Sequence, residues 1–128
     1  MSVKEVIQVP GMKTIGPYSH AVRSGDLLFV SGQPGILPDT GAAAGETFEQ
    51  QARQAFLNLG KVLQAGGSEL SLVVNTTVLV ADIACFPGLN RLYEEFFPEQ
   101  PPARMVMQVP LPKGLLISIG CVAALQQA

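Results

Sequence analysis

Ligands for a transition metal are scarce in this chain: its 128 residues include one histidine, His20, and two cysteines, Cys85 and Cys121. A zinc site gathers several Cys, His or carboxylate ligands at characteristic spacings, and none is seen, so no metal or other cofactor is expected. Two cysteines are also too few for a disulfide framework, and free thiols in a reducing cytosol are the simpler reading. His20 lacks the cysteine or serine partner that would mark an activated nucleophile. The carboxylates stand singly, without the pair that glycoside hydrolysis requires. Charge is low as well: 14% of residues, with a net charge of −2 and no basic cluster, so the electrostatic footprint of a nucleic-acid binder is missing. No apolar run approaches the ~18–20 residues of a membrane helix. The stretch Met1-Ser2-Val3-Lys4-Glu5 has no signal-peptide apolar region. The expectation is a cytoplasmic protein with no membrane and no nucleic-acid partner.

What the chain has in quantity is apolar side chain, 48% of residues. This length supports one domain with a real core, residues 1–128, with no linker, repeat or low-complexity segment. So much apolar surface on so few residues favours an oligomer. Lys4 to Val9 reads as a short strand ended by Pro10-Gly11. Ala21-Val22-Arg23 and Leu27 to Ser31 read as strands joined by Ser24-Gly25-Asp26, with Gly32-Gln33-Pro34-Gly35 closing that hairpin. Phe48, Ala52, Ala55, Phe56, Leu59, Val62 and Leu63 recur at three- and four-residue steps, the mark of a helix with one apolar face. Thr47 with Gln50 fits a capping box, and Gly66-Gly67 fits the exit. Leu72 to Val80 is β-branched and reads as an inner strand. Phe86-Pro87-Gly88 opens a second helix with Leu89, Leu92, Tyr93 and Phe96 inward, and Pro98 ends it.

Two apolar runs follow, one within Pro101–Val109 and one over Leu115–Ala124, joined by the turn Pro110–Gly114. The second is apolar on both faces, which predicts a central strand or a subunit contact. The fold class is therefore α+β: a mixed six-stranded sheet, order β-β-β-α-β-α-β-β, with two helices on one face. Its other face is left apolar and would bury against sister subunits.

Arg104 is the one charge on the first of those runs, and an arginine is seldom buried unless something pairs with it. Tyr18 lies in the Gly16-Pro17 loop. Ser31-Gly32 ends a strand where the missing side chain lets a ligand approach the backbone. Asn90 stands one turn into the second helix, near an N-terminus that favours anions. Each has a plainer alternative: a carboxylate of a neighbouring subunit for Arg104, rim packing for Tyr18, a strand-end hydrogen bond for Ser31, solvent for Asn90. From these residues alone the reading is a small-anion-binding α/β domain.

Ile15-Gly16-Pro17-Tyr18-Ser19-His20-Ala21-Val22, Phe29-Val30-Ser31-Gly32-Gln33, Asn75-Thr76-Thr77-Val78, Asn90-Arg91-Leu92-Tyr93-Glu94-Glu95-Phe96-Phe97 and Pro102-Ala103-Arg104 together resemble the RidA/YjgF family. These are the reactive-intermediate deaminases, also labelled L-PSP endoribonucleases or translation inhibitors. The resemblance spans nearly the whole chain in order and spacing. It implies a chorismate-mutase-like fold, a homotrimer with clefts between subunits, and hydrolysis of 2-imino acids such as 2-iminopropanoate to 2-keto acids and ammonia, without a cofactor.

Carried over residue by residue, the resemblance makes Arg104 the clamp on the substrate carboxylate, with a planar fork that lysine cannot copy. Tyr18 of the adjoining subunit would orient the imine or the water. Ser31 and Gly32 would supply hydroxyl and backbone contacts, Phe86 and Asn90 the wall, and Val106, where relatives often carry cysteine, an apolar floor. In the last strand the resemblance calls for a water-holding glutamate where this chain has Gly120, and an acidic residue is common where it has Ser118. Loss of a general base costs about 10²–10⁴-fold in rate, while the freed space admits a bulkier substrate. Two readings follow: a deaminase of small imino acids, and a non-catalytic binder of small carboxylates in the same cleft.

Overall fold

In a computed structural model describing residues 3–127, the strands come in the expected order. They are β1 (Glu5–Ile7), β2 (Ala21–Ser24), β3 (Leu27–Pro34), β4 (Val73–Val80), β5 (Ala103–Gln108) and β6 (Ile117–Ala124), with helices α1 (Phe48–Gly66) and α2 (Phe86–Phe96). They form one six-stranded sheet in the order β1-β2-β3-β6-β4-β5. Only β4 and β5 run parallel among these pairs. They are joined through α2, as a parallel pair requires a crossover.

Local sequence explains the helices. Thr47 accepts from the backbone N–H of Gln50 while the Gln50 side chain reaches back to the Thr47 N–H, so the capping box is complete. Gly67 closes α1 with φ 89°, a left-handed conformation that costs glycine little. The face made by Ala52, Ala55, Phe56, Leu59, Val62 and Leu63 is fully buried against the sheet. Each large side chain there contributes about 1.5–3 kcal/mol of burial. Phe56 ties the helices together: it stacks on Phe96 at 4.8 Å between centroids and makes a T-shaped pair with Tyr93 at 5.6 Å.

Strand β6 is central, between β3 and β4, and alternates buried with half-buried residues along its length. Ile117, Ile119, Cys121 and Ala123 face the helices, so Ser118, Gly120, Val122 and Ala124 face the other way. That second face carries exposed apolar side chains: Phe29 at 45%, Met105 at 59% and Met107 at 41%. No helix among the described residues is long and apolar enough to cross a membrane.

Strand β4 starts at Val73 rather than Leu72 and β2 runs on through Ser24; three larger differences separate the structure from the sequence reading. Strand β1 covers only Glu5–Ile7, because beyond Ile7 the backbone turns to meet His20, whose Nδ1 accepts from the Val9 N–H at 2.9 Å. Strand β6 starts at Ile117 rather than Leu115. Gly32 to Pro34 do not close the hairpin; they continue β3, which pairs Gln33 with Ile119 and Pro34 with Ser118 after a bulge following Val30. A bulge absorbs the extra residue and bends the strand, so turn-forming residues end up inside a strand. Gly35, just beyond, is required by packing: a Cβ there would stand 2.2 Å from the Gln51 carbonyl oxygen of α1.

Candidate functional site

Arg104 sits on edge strand β5 in register with Thr76 of β4, which in turn faces Cys121 of β6, so its side chain lies on the helix-bearing face. Helix α2 passes over that edge and presents Phe86, Asn90, Tyr93 and Glu94 at the three- and four-residue steps that share a helix side, with Phe97 just past its end. The Arg104 Nη1 donates to Asn90 Oδ1 at 2.8 Å. Its guanidinium carbon lies 4.7 Å from the Tyr93 ring centroid and 5.2 Å from that of Phe86. Such cation–π contacts contribute about 0.5–1 kcal/mol at exposed sites. One side-chain amide and two aromatic faces thus fix the guanidinium plane.

Arg104 has no carboxylate within ion-pair distance among the described residues, whereas Arg23 pairs with Glu5 and Arg53 with Glu95. The cation instead borders a cavity of about 410 Å³ lined by Asn90, Tyr93, Glu94, Phe97, Pro101, Pro102 and Arg104. Tyr93 is held from below by a buried hydroxyl–hydroxyl hydrogen bond with Thr76. Burial raises its phenol pKa, opposed by the Thr76 bond and by the Arg104 charge. The arrangement suits a small carboxylate, which a guanidinium fork receives in its own plane.

The other sequence-predicted residues lie elsewhere in the chain. Gly120 pairs with Thr77 on the helix-free face, across the sheet from Arg104, beside a shallow depression lined by Phe29, Asn75, Thr77 and Val122. A Cβ on Gly120 would meet the Val30 carbonyl oxygen at 3.1 Å. Ser118 lies on the same face, its Oγ only 2.5 Å from where a Cβ on Gly32 would stand. Ser31 Oγ donates to the Ser19 carbonyl at 2.6 Å, so this hydroxyl pins the Tyr18 loop to β3. Tyr18 is half-buried, and its hydroxyl accepts from the Ile15 N–H at 3.2 Å. Val106 shares Arg104's face two residues on, opposite Val78, and packs against the core. One chain therefore gathers Arg104, Asn90 and Phe86 at one place, and Gly32, Ser118 and Gly120 at another. A larger groove of about 690 Å³ along the outer side of α1, bordered by exposed Lys61, Gln64 and Ser71, collects none of these residues.

The model of the family described as endoribonuclease L-PSP matches residues 9–125. This chain belongs to that family, the RidA/YjgF proteins. It is 40% identical over 124 residues to the chloroplastic Reactive Intermediate Deaminase A of Arabidopsis thaliana, covering 95% of this chain and 66% of that longer protein. It is 42% identical to the human 2-iminobutanoate/2-iminopropanoate deaminase, over 91% of this chain and 84% of the relative. The crystal structure of Escherichia coli TdcF with bound serine superimposes with a TM-score of 0.88 at 30% identity, over 95% and 99% of the two chains.

In this family member, the apolar spacing of α2 marks Tyr93 as core and leaves Glu94 unmarked. Tyr93 is both: its ring packs against Phe56 in the core and its face carries the guanidinium. The available signal was the spacing of Phe86, Asn90 and Tyr93 along one side of α2, ahead of an isolated arginine.

Proposed function

We propose that this protein hydrolyses reactive 2-imino acids, such as 2-iminopropanoate, to the 2-keto acid and ammonia, in clefts between the subunits of a homotrimer. The observation that carries the reading is the Arg104 guanidinium, bordering a cavity without a carboxylate partner and oriented by Asn90, Phe86 and Tyr93. The relatives named as deaminases support it, as does the amino acid bound in TdcF. Arg104 would bind the substrate carboxylate. The imine carbon is already electrophilic, so fixing the substrate beside a water supplies much of the acceleration.

Arg104 and Gly120 lie on opposite sheet faces, so a cleft uniting them draws on two copies of the chain. The exposed apolar side chains of the helix-free face are the surface available for that assembly. Tyr18, Ser31, Gly32, Ser118 and Gly120 would then come from the adjoining subunit. A cytoplasmic setting accords with two free cysteines. Ribonuclease activity, the family's other label, has less support: phosphodiester cleavage calls for accessible acid–base groups, and the sole histidine is 4% exposed with Nδ1 engaged.

Gly120 favours a second reading, a trimer that binds small carboxylates without turning them over. One experiment separates the two. An L-amino acid oxidase generates imino acids in situ, and semicarbazide competition follows their loss with wild type, Arg104→Ala and Gly120→Glu. Faster loss with wild type, abolished by Arg104→Ala, supports hydrolysis; a further gain in Gly120→Glu identifies the missing carboxylate. An inert wild type that binds pyruvate through Arg104 establishes the binder.

A further inference from the structure

The cavity beside Arg104 holds a second charge that nothing yet accounts for. Glu94 lies one turn beyond Asn90 on the same side of α2 and lines the cavity with Arg104. Among the described residues these are the only two charged side chains in its lining, and they are of opposite sign. They do not pair with each other, and Glu94 has no ion-pair partner among the described residues. Its neighbour Glu95 points to the other side of the helix, where Arg53 holds it with two hydrogen bonds. Opposite charges bordering one cavity without contact form a frame for a ligand that carries both charges.

We propose that Glu94 is the second charged contact of this site: it faces the cationic nitrogen of a ligand whose carboxylate lies on Arg104, and in hydrolysis it accepts the proton of the attacking water. The proposal rests on the imino-acid reading above and deepens it. The ligand class is a 2-iminium carboxylate, with an α-amino acid zwitterion as its stable mimic. As the water oxygen bonds to C2, the C=N π pair moves to nitrogen and Glu94 takes one water proton, leaving a neutral carbinolamine. Glu94 then gives that proton to nitrogen. The hydroxyl oxygen closes C=O as the C–N bond breaks, and its proton leaves through Glu94 to the departing ammonia. The sum is iminium and water in, keto acid and ammonium out, with Glu94 unchanged. A carboxylate in that role contributes about 10²–10⁴-fold to rate.

The test compares wild type, Glu94→Gln and the control Glu95→Gln by calorimetric titration with pyruvate, a pure anion, and with L-alanine, a zwitterion. Imino-acid hydrolysis is measured in parallel. Glu94→Gln should weaken alanine by about tenfold, the scale of one charge-assisted hydrogen bond. Pyruvate affinity should be unchanged, and kcat should fall at least a hundredfold; Glu95→Gln should match wild type throughout. If Glu94→Gln shifts alanine and pyruvate equally, or neither, the proposal is overturned even when the wild type is an active deaminase. Should wild type hydrolyse nothing while Glu94→Gln still loses alanine selectively, the deaminase reading falls and the charge frame stands.

Discussion

Thr76 and Tyr93 share a buried hydrogen bond between their hydroxyls, at the tip of the ring whose face carries the Arg104 guanidinium. The bond connects a central strand to α2 and sets the height and tilt of the surface on which Arg104 rests. Tyr93→Phe keeps the ring and leaves the Thr76 hydroxyl buried and unpaired, at a cost of about 1–3 kcal/mol in urea unfolding. Pyruvate affinity should be unchanged. Tyr93→Leu removes the ring face and should also weaken pyruvate about threefold, the lower range of a cation–π contact, as read by calorimetry.

Gly32 and Ser118 make a second test of geometry. Because a Cβ at Gly32 would fall 2.5 Å from Ser118 Oγ, Gly32→Ala alone should force the serine hydroxyl aside and destabilise by about 0.5–1.5 kcal/mol, the scale of an off-rotamer side chain. The next atom, Ser118 Cβ, would be 3.8 Å away, an ordinary contact. Adding Ser118→Ala should therefore restore most of the loss, and a double-mutant cycle in urea should show strong coupling.

His20 makes stability depend on mildly acidic pH. Burial lowers its pKa from 6.5, opposed by a backbone contact at Met12. The unfolded chain then binds this proton more readily than the folded one, so stability rises with pH through the window and falls as pH drops below about 6.5. Protonation would also deny the Val9 N–H its acceptor at Nδ1. His20→Asn keeps an acceptor that does not titrate. Thermal melts between pH 7.5 and pH 5 should show a decline of Tm in wild type and a much smaller one in His20→Asn.

The two thiols should differ in reactivity. Cys121 is buried on the helix-facing side of β6, and burial pushes its pKa to about 12. Cys85 is half-buried, with its thiol raised less. Since the thiolate is the reactive form, an aromatic disulfide reagent should modify Cys85 slowly in the native protein. It should reach Cys121 only after denaturation.

Much of this molecule could be read before its structure, where the cause is local. The α1 stripe and its caps, the interior place of β4, and the central place of β6 follow from residues close in sequence; the outward side chains of β6 are only half-buried within one chain. Gly32 to Pro34 read as a turn because glycine and proline signal turns, while the strand that claims them, β6, lies far along the chain. The site divides the same way. Arg104 stood out as a charge in an apolar run, yet its contacts with Asn90, Phe86 and Tyr93 depend on how α2 crosses the β5 edge. Neither periodicity nor propensity encodes that crossing. Glu94 had no sequence signal because its meaning lies in a cavity that exists only after packing.

The central position of β6 bears on how a ribosome makes this protein. Strands β3 and β4 each pair with β6 rather than with one another, and β6 is the last of the six to be synthesised. Until it emerges, the first three strands and the β4–α2–β5 unit have no shared ladder, and each waits with an unpaired edge that could capture a neighbour on the same message. Insertion of a single late strand converts both halves into one sheet, so a chain truncated before Ile117 should retain secondary structure yet fail to unite.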